Sequence, residues 1–191
     1  DKDLLVINKQ AGIVTHPAPG NETGTLVQAL LHHADNNLSD INGNKRPGIV
    51  HRLDKNTSGV MVIAKNNFTH INLADQFKLH TIKRKYQAIT WGVPSNQTIE
   101  GYIERHKINR KKMSFNKEEK GKFSKTTIKL IKSFQNASLI ECTLDTGRTH
   151  QIRLHLTSVD TPIVGDAIYG KNRLSKYGLD KKNFNKFLIL K

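Results

Sequence analysis

Gly48-Ile49-Val50-His51-Arg52-Leu53-Asp54-Lys55-Asn56-Thr57-Ser58-Gly59-Val60-Met61-Val62-Ile63-Ala64 runs from an apolar entry through a polar segment to an apolar exit. The run Val60 to Ala64 is apolar at every position, which reads as a strand buried on both faces. The polar segment His51 to Gly59 is then a loop held at the edge of a core. Reactive and binding side chains concentrate on such loops because a rigid scaffold aims them while solvent reaches them.

Working back towards the start, Leu4 to Lys9 is a short apolar run bounded by charges and reads as a strand. Gly12 to Thr25 is rich in Gly, Pro, Asn and Thr and reads as loop. Thr25 is placed to cap a helix through Leu26, Ala29, Leu30 and His33. Residues 36–47 are polar and read as an exposed connection.

Working forward, Asn66 or Asn67 caps a helix whose apolar positions Phe68, Ile71, Ala74 and Phe77 recur every three residues. Lys85 to Trp91 reads as a strand with Tyr86, Ala88 and Thr90 on one face, and Ile89 and Trp91 on the other. From Glu104 to Lys125 the chain is strongly basic, and two β-like runs follow at Thr126 to Phe134 and Ser138 to Leu144. The turn Asp145-Thr146-Gly147 leads to a helix in which Ile152, Leu156 and Val159 share a face and Thr149 is the expected cap. Pro162 to Gly170 reads as strand and turn, and the tail from Lys181 begins polar and ends apolar. Strands outnumber helices without regular βαβ alternation, so the fold class is α+β.

The composition narrows the function classes. The 191 residues suit one large domain, or one with an insertion. Lysine and arginine total 31 against 16 acidic residues, a formal net charge of +15 that attracts polyanions, nucleic acid above all. No amphipathic helix with a bulky apolar face supports a membrane-surface reading. Cys142 is the only cysteine, so neither an internal disulfide nor a cysteine zinc site can form, and a reducing, cytoplasmic compartment fits. His150 and His155 lack the spacing of a zinc-binding helix, so no metal site is expected. No apolar run approaches the roughly 20 residues of a membrane span.

Three ordered segments carry a more specific signal: His51-Arg52-Leu53-Asp54-Lys55-Asn56-Thr57-Ser58-Gly59, Lys85-Tyr86-Gln87-Ala88, and Gly147-Arg148-Thr149-His150-Gln151-Ile152-Arg153-Leu154-His155. Pro162-Ile163-Val164-Gly165-Asp166 and Tyr169-Gly170 follow, and Leu4 to Lys9, His16-Pro17 and Gly24-Thr25 precede them. Together they resemble the ribosomal large-subunit RNA pseudouridine synthases of the RluA/RluD family, over Asp1 to about Gly170. The resemblance implies a mixed, mainly antiparallel sheet with helices and loops around an RNA-binding cleft. It also implies a catalytic Asp54, a Tyr86 that stacks on the target base, and an Arg153 that pairs with Asp54. The match begins at the catalytic domain, which is expected to span 1–191 with no S4-type domain before it. Where relatives have Arg-Gln-Ala-Leu-His-Ala, this chain has Lys186-Phe187-Leu188-Ile189-Leu190-Lys191, so the expectation is either a fragment or a domain without its last strand.

The chemistry agrees with those residue types. Pseudouridine forms when the N1–C1′ bond of a uridine breaks, the base turns, and C5 joins C1′. A carboxylate such as Asp54 can attack the sugar or accept its proton. A guanidinium such as Arg153, expected within about 4 Å, would keep that carboxylate ionised against burial. Tyr86 offers a flat face and a hydroxyl, and Arg52 could fill the gap a flipped base leaves in its stack. His51, Arg148, His150 and Gln151 are further candidates for RNA contact or for bracing the loops, and Arg105, Lys111 and Lys112 for phosphate contact. No cofactor is required, and the expected partner is a stem-loop of large-subunit ribosomal RNA bound by a monomer.

Each residue also has a plainer reading. Asp54 alone could form an Asx-turn, Tyr86 could be a half-buried strand tyrosine, and Arg153 a surface ion-pair partner. A protein-kinase catalytic loop has the order His-Arg-Asp, not His-Arg-Leu-Asp, and no glycine-rich nucleotide loop precedes this one. The alternative from another class is a non-catalytic RNA-binding relative that keeps the fold and the charge.

Overall fold

A computed structural model describes residues 1–35 and 37–170, and the tail from Lys181 therefore falls outside the described residues. The fold is α+β with antiparallel sheets, and the chain divides into two compact units, Asp1–Ile82 and a second beginning at Lys83. Among the described residues no helix is long and apolar enough to cross a membrane. Nor is any group of three or more His, Cys, Asp or Glu placed to hold a metal ion.

In the first unit, β1 (Leu4–Lys9) pairs antiparallel with β2 (Gly59–Ala64), from Leu4 opposite Ala64 to Lys9 opposite Gly59. The strand after the polar segment is therefore present, but it is not buried on both faces. Met61 and Ile63 are fully buried while Val60 is 69% exposed, so this apolar run belongs to a ribbon covered on one side.

Helix α1 (Leu26–His33) starts at Thr25, whose backbone N–H (3.0 Å) and hydroxyl (3.1 Å) both donate to Gln28 Oε1. Helix α2 (Asn67–Lys78) starts at Asn66, whose side-chain oxygen accepts from the Thr69 N–H at 2.9 Å. Its inward stripe differs from the expected one. Phe68 is 79% exposed and Ile71 also faces out, while His70 is buried and Leu73, Ala74 and Phe77 are half-buried beside it. Spacings of three, one and three are the true helical stripe, and a histidine occupies its first position.

The second unit is a five-stranded antiparallel sheet in the order β3-β7-β6-β4-β5. Its strands are β3 (Lys85–Trp91), β4 (Gln97–Arg105), β5 (Met113–Asn116), β6 (Lys122–Ser133) and β7 (Ala137–Leu144). Strand β3 has the expected alternation, whereas β4 and β5 lie in a region where no strand was expected. Helix α3 (Gln151–Ser158) packs on the sheet. Ile152 and Leu156 of α3 join Ala88, Ile99, Ile128, Ile140, Cys142, Leu144 and Ile163 in one core, with Val159 packed against it. Each fully buried aliphatic side chain there contributes roughly 1.5–3 kcal/mol.

Cys142 is part of this core, and burial pushes its thiol up to about 12, with the Glu141 charge adding to the effect. The thiol is inert at neutral pH. Of the segment Pro162 to Gly170, only Ile163 bridges to the sheet, opposite Thr90. The remainder is turns.

Candidate active site

Asp54 sits on the loop between Ile49, which bridges to Ile63, and β2. The loop entrance requires glycine. Gly48 has φ +68°, and a Cβ there would lie 2.7 Å from the Ala64 carbonyl oxygen and 2.8 Å from Ile63 Cγ2. His51 then accepts the Val62 N–H on Nε2 at 3.0 Å and stacks on Phe77 with ring centroids 4.5 Å apart. These two contacts brace the loop against β2 and α2.

The carbonyls flanking Asp54 are held from the other side. Thr15 Oγ1 donates to the Leu53 oxygen at 3.1 Å. Gly12 N–H and the Lys9 ammonium donate to the Lys55 oxygen at 2.8 and 3.2 Å. Lys9 is only 1% exposed, and its ammonium also donates to the carbonyls of Gln10 (2.9 Å) and Ile13 (3.0 Å). Burial lowers the Lys9 pKa while the Asp54 charge pulls it back up, so the two groups lie in each other's field. Thr57 N–H donates to the Asp54 carbonyl at 3.1 Å, closing the turn. Asp54 itself is half-buried. The sequence places Lys9 only at the end of a strand, because a buried ammonium has the same letter as a solvated one.

The second unit carries Tyr86 and Arg153. Tyr86 lies on β3 opposite Cys142 of β7 and packs partly buried on the core. Arg153 projects from α3 and is buried against Asp166, with side chains 8% and 1% exposed. The pair is bidentate: Nε donates to Oδ2 at 2.8 Å and Nη2 to Oδ1 at 3.0 Å. Oδ1 also accepts the backbone N–H groups of Ile168 (2.9 Å) and Tyr169 (3.1 Å). Burial pushes the Asp166 carboxyl up, but Arg153 and these two N–H groups outweigh it and hold the pKa below the usual carboxylate value. Arg153 also lies 4.9 Å from the Tyr169 ring centre. The Tyr169 hydroxyl bonds His150 Nδ1 at 2.8 Å and accepts the Met113 N–H at 2.9 Å.

In the sequence Asp166 and Tyr169 stand out only by their order in the chain. A lone Asp-x-x-Tyr has no local signature of an ion pair thirteen residues away.

The start of α3 also departs from expectation. The residue before the helix is His150, in the left-handed conformation at φ 59°, and no side chain caps the first turn. Gln151 is buried and has no capacity left for RNA. Its Oε1 accepts from Thr146 Oγ1 (2.8 Å) and Arg148 N–H (2.9 Å), and its Nε2 donates to the Lys125 oxygen and Thr126 Oγ1, both at 2.9 Å. An amide with all four positions filled braces its surroundings and contacts no ligand. Arg148 donates through Nε to the Phe123 oxygen at 2.8 Å.

Arg105 and Lys111 are exposed, and Lys112 half-exposed, in the connection between β4 and β5. That connection is ordered by its own bonds. Arg105 Nη1 donates to the Arg110 oxygen at 2.7 Å, and His106 Nδ1 accepts the N–H groups of Ile108 (3.2 Å) and Asn109 (3.1 Å). His106 N–H donates to the Lys112 oxygen at 3.2 Å, and Lys112 N–H to the Asn109 oxygen at 2.9 Å.

The model of the family described as RNA pseudouridylate synthase matches residues 3–158. A Zymomonas mobilis protein named ribosomal large subunit pseudouridine synthase D is 48% identical over 180 residues, covering 94% of this chain and 57% of that protein. A Bacillus subtilis protein named uncharacterized RNA pseudouridine synthase YlyB is 46% identical over 175 residues, covering 91% of this chain and 57% of its own length. The chain thus spans a little over half of these relatives. The solved structure of human RNA pseudouridylate synthase domain containing 4 superposes with a TM-score of 0.75 at 27% identity, over 100% of this chain and 79% of that one. A 48% identical relative and a family model spanning both units lead to one conclusion: the chain belongs to the RNA pseudouridylate synthase family, in its ribosomal large-subunit RluA/RluD branch.

Proposed function

We propose that this chain isomerises uridine to pseudouridine in structured RNA, with large-subunit ribosomal RNA as its substrate and Asp54 as the catalytic group. The observation that carries the reading is the Asp54 loop. Hydrogen bonds from the Thr15 hydroxyl, the Gly12 N–H and the Lys9 ammonium fix the carbonyls of the residues on both sides of Asp54. A carboxylate held this way can attack C1′ or take a proton from the ribose without first being ordered.

In the reaction the N1–C1′ bond breaks, the base turns and the C5–C1′ bond forms. The C5 proton leaves and N1 gains one, so nothing is consumed. Tyr86 supplies the flat face for the uracil and a hydroxyl for the C5 proton. Arg153 is the source of positive charge in this reading, on a side chain kept rigid by Asp166. Arg52 meets the RNA beside the withdrawn base, on the rim where the phosphates run. Arg105, Lys111 and Lys112 meet phosphates.

The test is turnover on a uridine-containing stem-loop of large-subunit ribosomal RNA, with pseudouridine mapped by sequencing. Wild type should convert the RNA, and Asp54→Asn should bind it with little loss but convert none. Tyr86→Phe should still bind RNA and stall at loss of the C5 proton. Turnover by Asp54→Asn close to that of wild type would remove Asp54 from the mechanism, and no conversion by wild type would leave an RNA-binding protein only.

A further inference from the structure

Two bonds made by Thr15 set its neighbour in an unusual place. Its hydroxyl donates to the Leu53 carbonyl at 3.1 Å, and its own carbonyl accepts the Val27 N–H at 3.0 Å. His16 follows Thr15 and Arg52 precedes Leu53, so the bond between the two segments brings His16 and Arg52 together. The His16 ring is 5% exposed, and its buried Nδ1 has no hydrogen-bond partner among the described residues. Nearly all buried polar atoms are satisfied, so an orphaned imidazole nitrogen calls for a partner from outside the chain.

The surroundings say what charge that partner has. Burial lowers the His16 pKa to about 4, and the charges of Arg46 and Arg52 lower it further. The ring is therefore neutral at pH 7 and retains one N–H to donate. Arg46 and Arg52 are both exposed, and among the described residues neither guanidinium donates to an acceptor. One neutral donor beside two unspent guanidinium forks matches an oxyanion, for which Arg has the fitting geometry.

We propose that His16, Arg46 and Arg52 form a binding site for an RNA phosphodiester next to the target uridine. The site lies in the first unit, on the chain segment next to the Asp54 loop. It anchors the backbone of the nucleotide whose base is withdrawn, while Asp54 acts on the ribose. Phosphate contacts fix register without reading sequence, so this site sets where the substrate lies and leaves the choice of uridine to other contacts. The inference rests on RNA being the substrate.

The experiment follows the His16 ring of the 191-residue chain by NMR as inorganic phosphate, and separately a uridine-containing RNA stem-loop, is added. A bound phosphate brings the ring's titration up from about 4 towards the ordinary histidine range. Arg46→Gln should lower RNA affinity about tenfold, the loss of one charge-assisted hydrogen bond. It should also reduce the slope of log affinity against log salt by about 0.7. His16→Phe, which keeps the ring without an N–H, should show a similar loss in affinity. If that variant does not fold, Arg46→Gln and the ring titration decide.

A ring unmoved by phosphate and RNA, with Arg46→Gln binding as wild type does, overturns the site. A response to concentrated phosphate but none to RNA marks an adventitious ion only, and also overturns it. RNA that binds through His16 yet is never isomerised leaves the site standing and removes the activity. Isomerisation with a silent His16 does the reverse.

Discussion

The Asp54 loop and the Arg153 pocket put charged side chains to use by opposite means. Around Asp54 it is the backbone that is fixed: its neighbours' carbonyls accept from Thr15, Gly12 and Lys9. Around Arg153 the side chain itself is fixed, buried in a bidentate pair with Asp166 that two backbone N–H groups complete. The first arrangement orders the main chain on either side of the carboxylate. The second makes a charge part of the core, where removing one partner strands the other in a medium that solvates it poorly. Substitution should therefore separate activity from stability at the first position and tie them together at the second.

The sharpest test of that contrast sets two variants side by side. Asp54→Asn should lower turnover by at least about 10⁴-fold, the upper range for an acid–base group, with an unfolding midpoint close to wild type. Arg153→Met should cost about 3–5 kcal/mol in denaturant unfolding, because it leaves the Asp166 carboxylate buried and unpaired. A stable Arg153→Met protein, or an unstable Asp54→Asn one, would erase the distinction.

A smaller effect is expected from pH. His155 is fully buried on α3, with Nε2 bonded to Ser124 Oγ and Nδ1 to Thr126 Oγ1, each at 2.9 Å. Burial, with a smaller contribution from Lys117, lowers its pKa to about 4 from the ordinary 6.5. Between those values the unfolded chain takes up a proton that the folded one refuses, so stability is lost as pH falls through that window. The loss amounts to about 1.4 kcal/mol for each pH unit once the unfolded histidine is protonated. Urea unfolding at pH 7, 6 and 5 should show this decline, and His155→Gln should flatten it. An equal slope in the variant would place the sensitivity elsewhere, His16 of the first unit being the next group with the same shift.

The smallest expected change is at the exposed connection between β4 and β5. Lys111→Ala should leave folding untouched, weaken RNA binding a few-fold, and reduce the salt slope by about 0.7 if one phosphate contact is lost. Filter-binding titrations at several salt concentrations would show it, and an unchanged slope would assign Lys111 to solubility alone.

Much of this could be read from the chain, and the failures have physical reasons. The Asp54 loop, β3 and both early helix caps were legible because each rests on local chemistry: a polar segment between apolar runs, alternation, an Asn or Thr at a helix start. Strand β4 was not, although Ile99 and Ile103 alternate inward. The buried position between them is Gly101, where a Cβ would come within 2.5 Å of the Phe115 ring, and a glycine reads as an interruption. The α2 stripe was misread because buried His70 looks polar; its Nε2 lies 3.1 Å from Asn42 Nδ2, a partner far off in sequence. The expected cap Thr149 gave way to His150 in a left-handed conformation, its Nδ1 bonded to the distant Tyr169 hydroxyl. Around the candidate site several bonding partners were not legible. Asp166, Lys9 and the saturated amide of Gln151 are all defined by long-range bonds that no spacing rule reaches.

The ordered connection between β4 and β5 bears on how quickly and how tightly a polyanion can be met. A loose basic loop must give up roughly 1–2 kcal/mol of backbone freedom per residue before its charges stand in register. Here the Arg105–Arg110 bond and the bonds made by His106 and Asn109 have already removed much of that freedom during folding. The charges are presented as a stamp with fixed relief, so an encounter steered by the long-range field can convert to a docked state without a search over loop conformations.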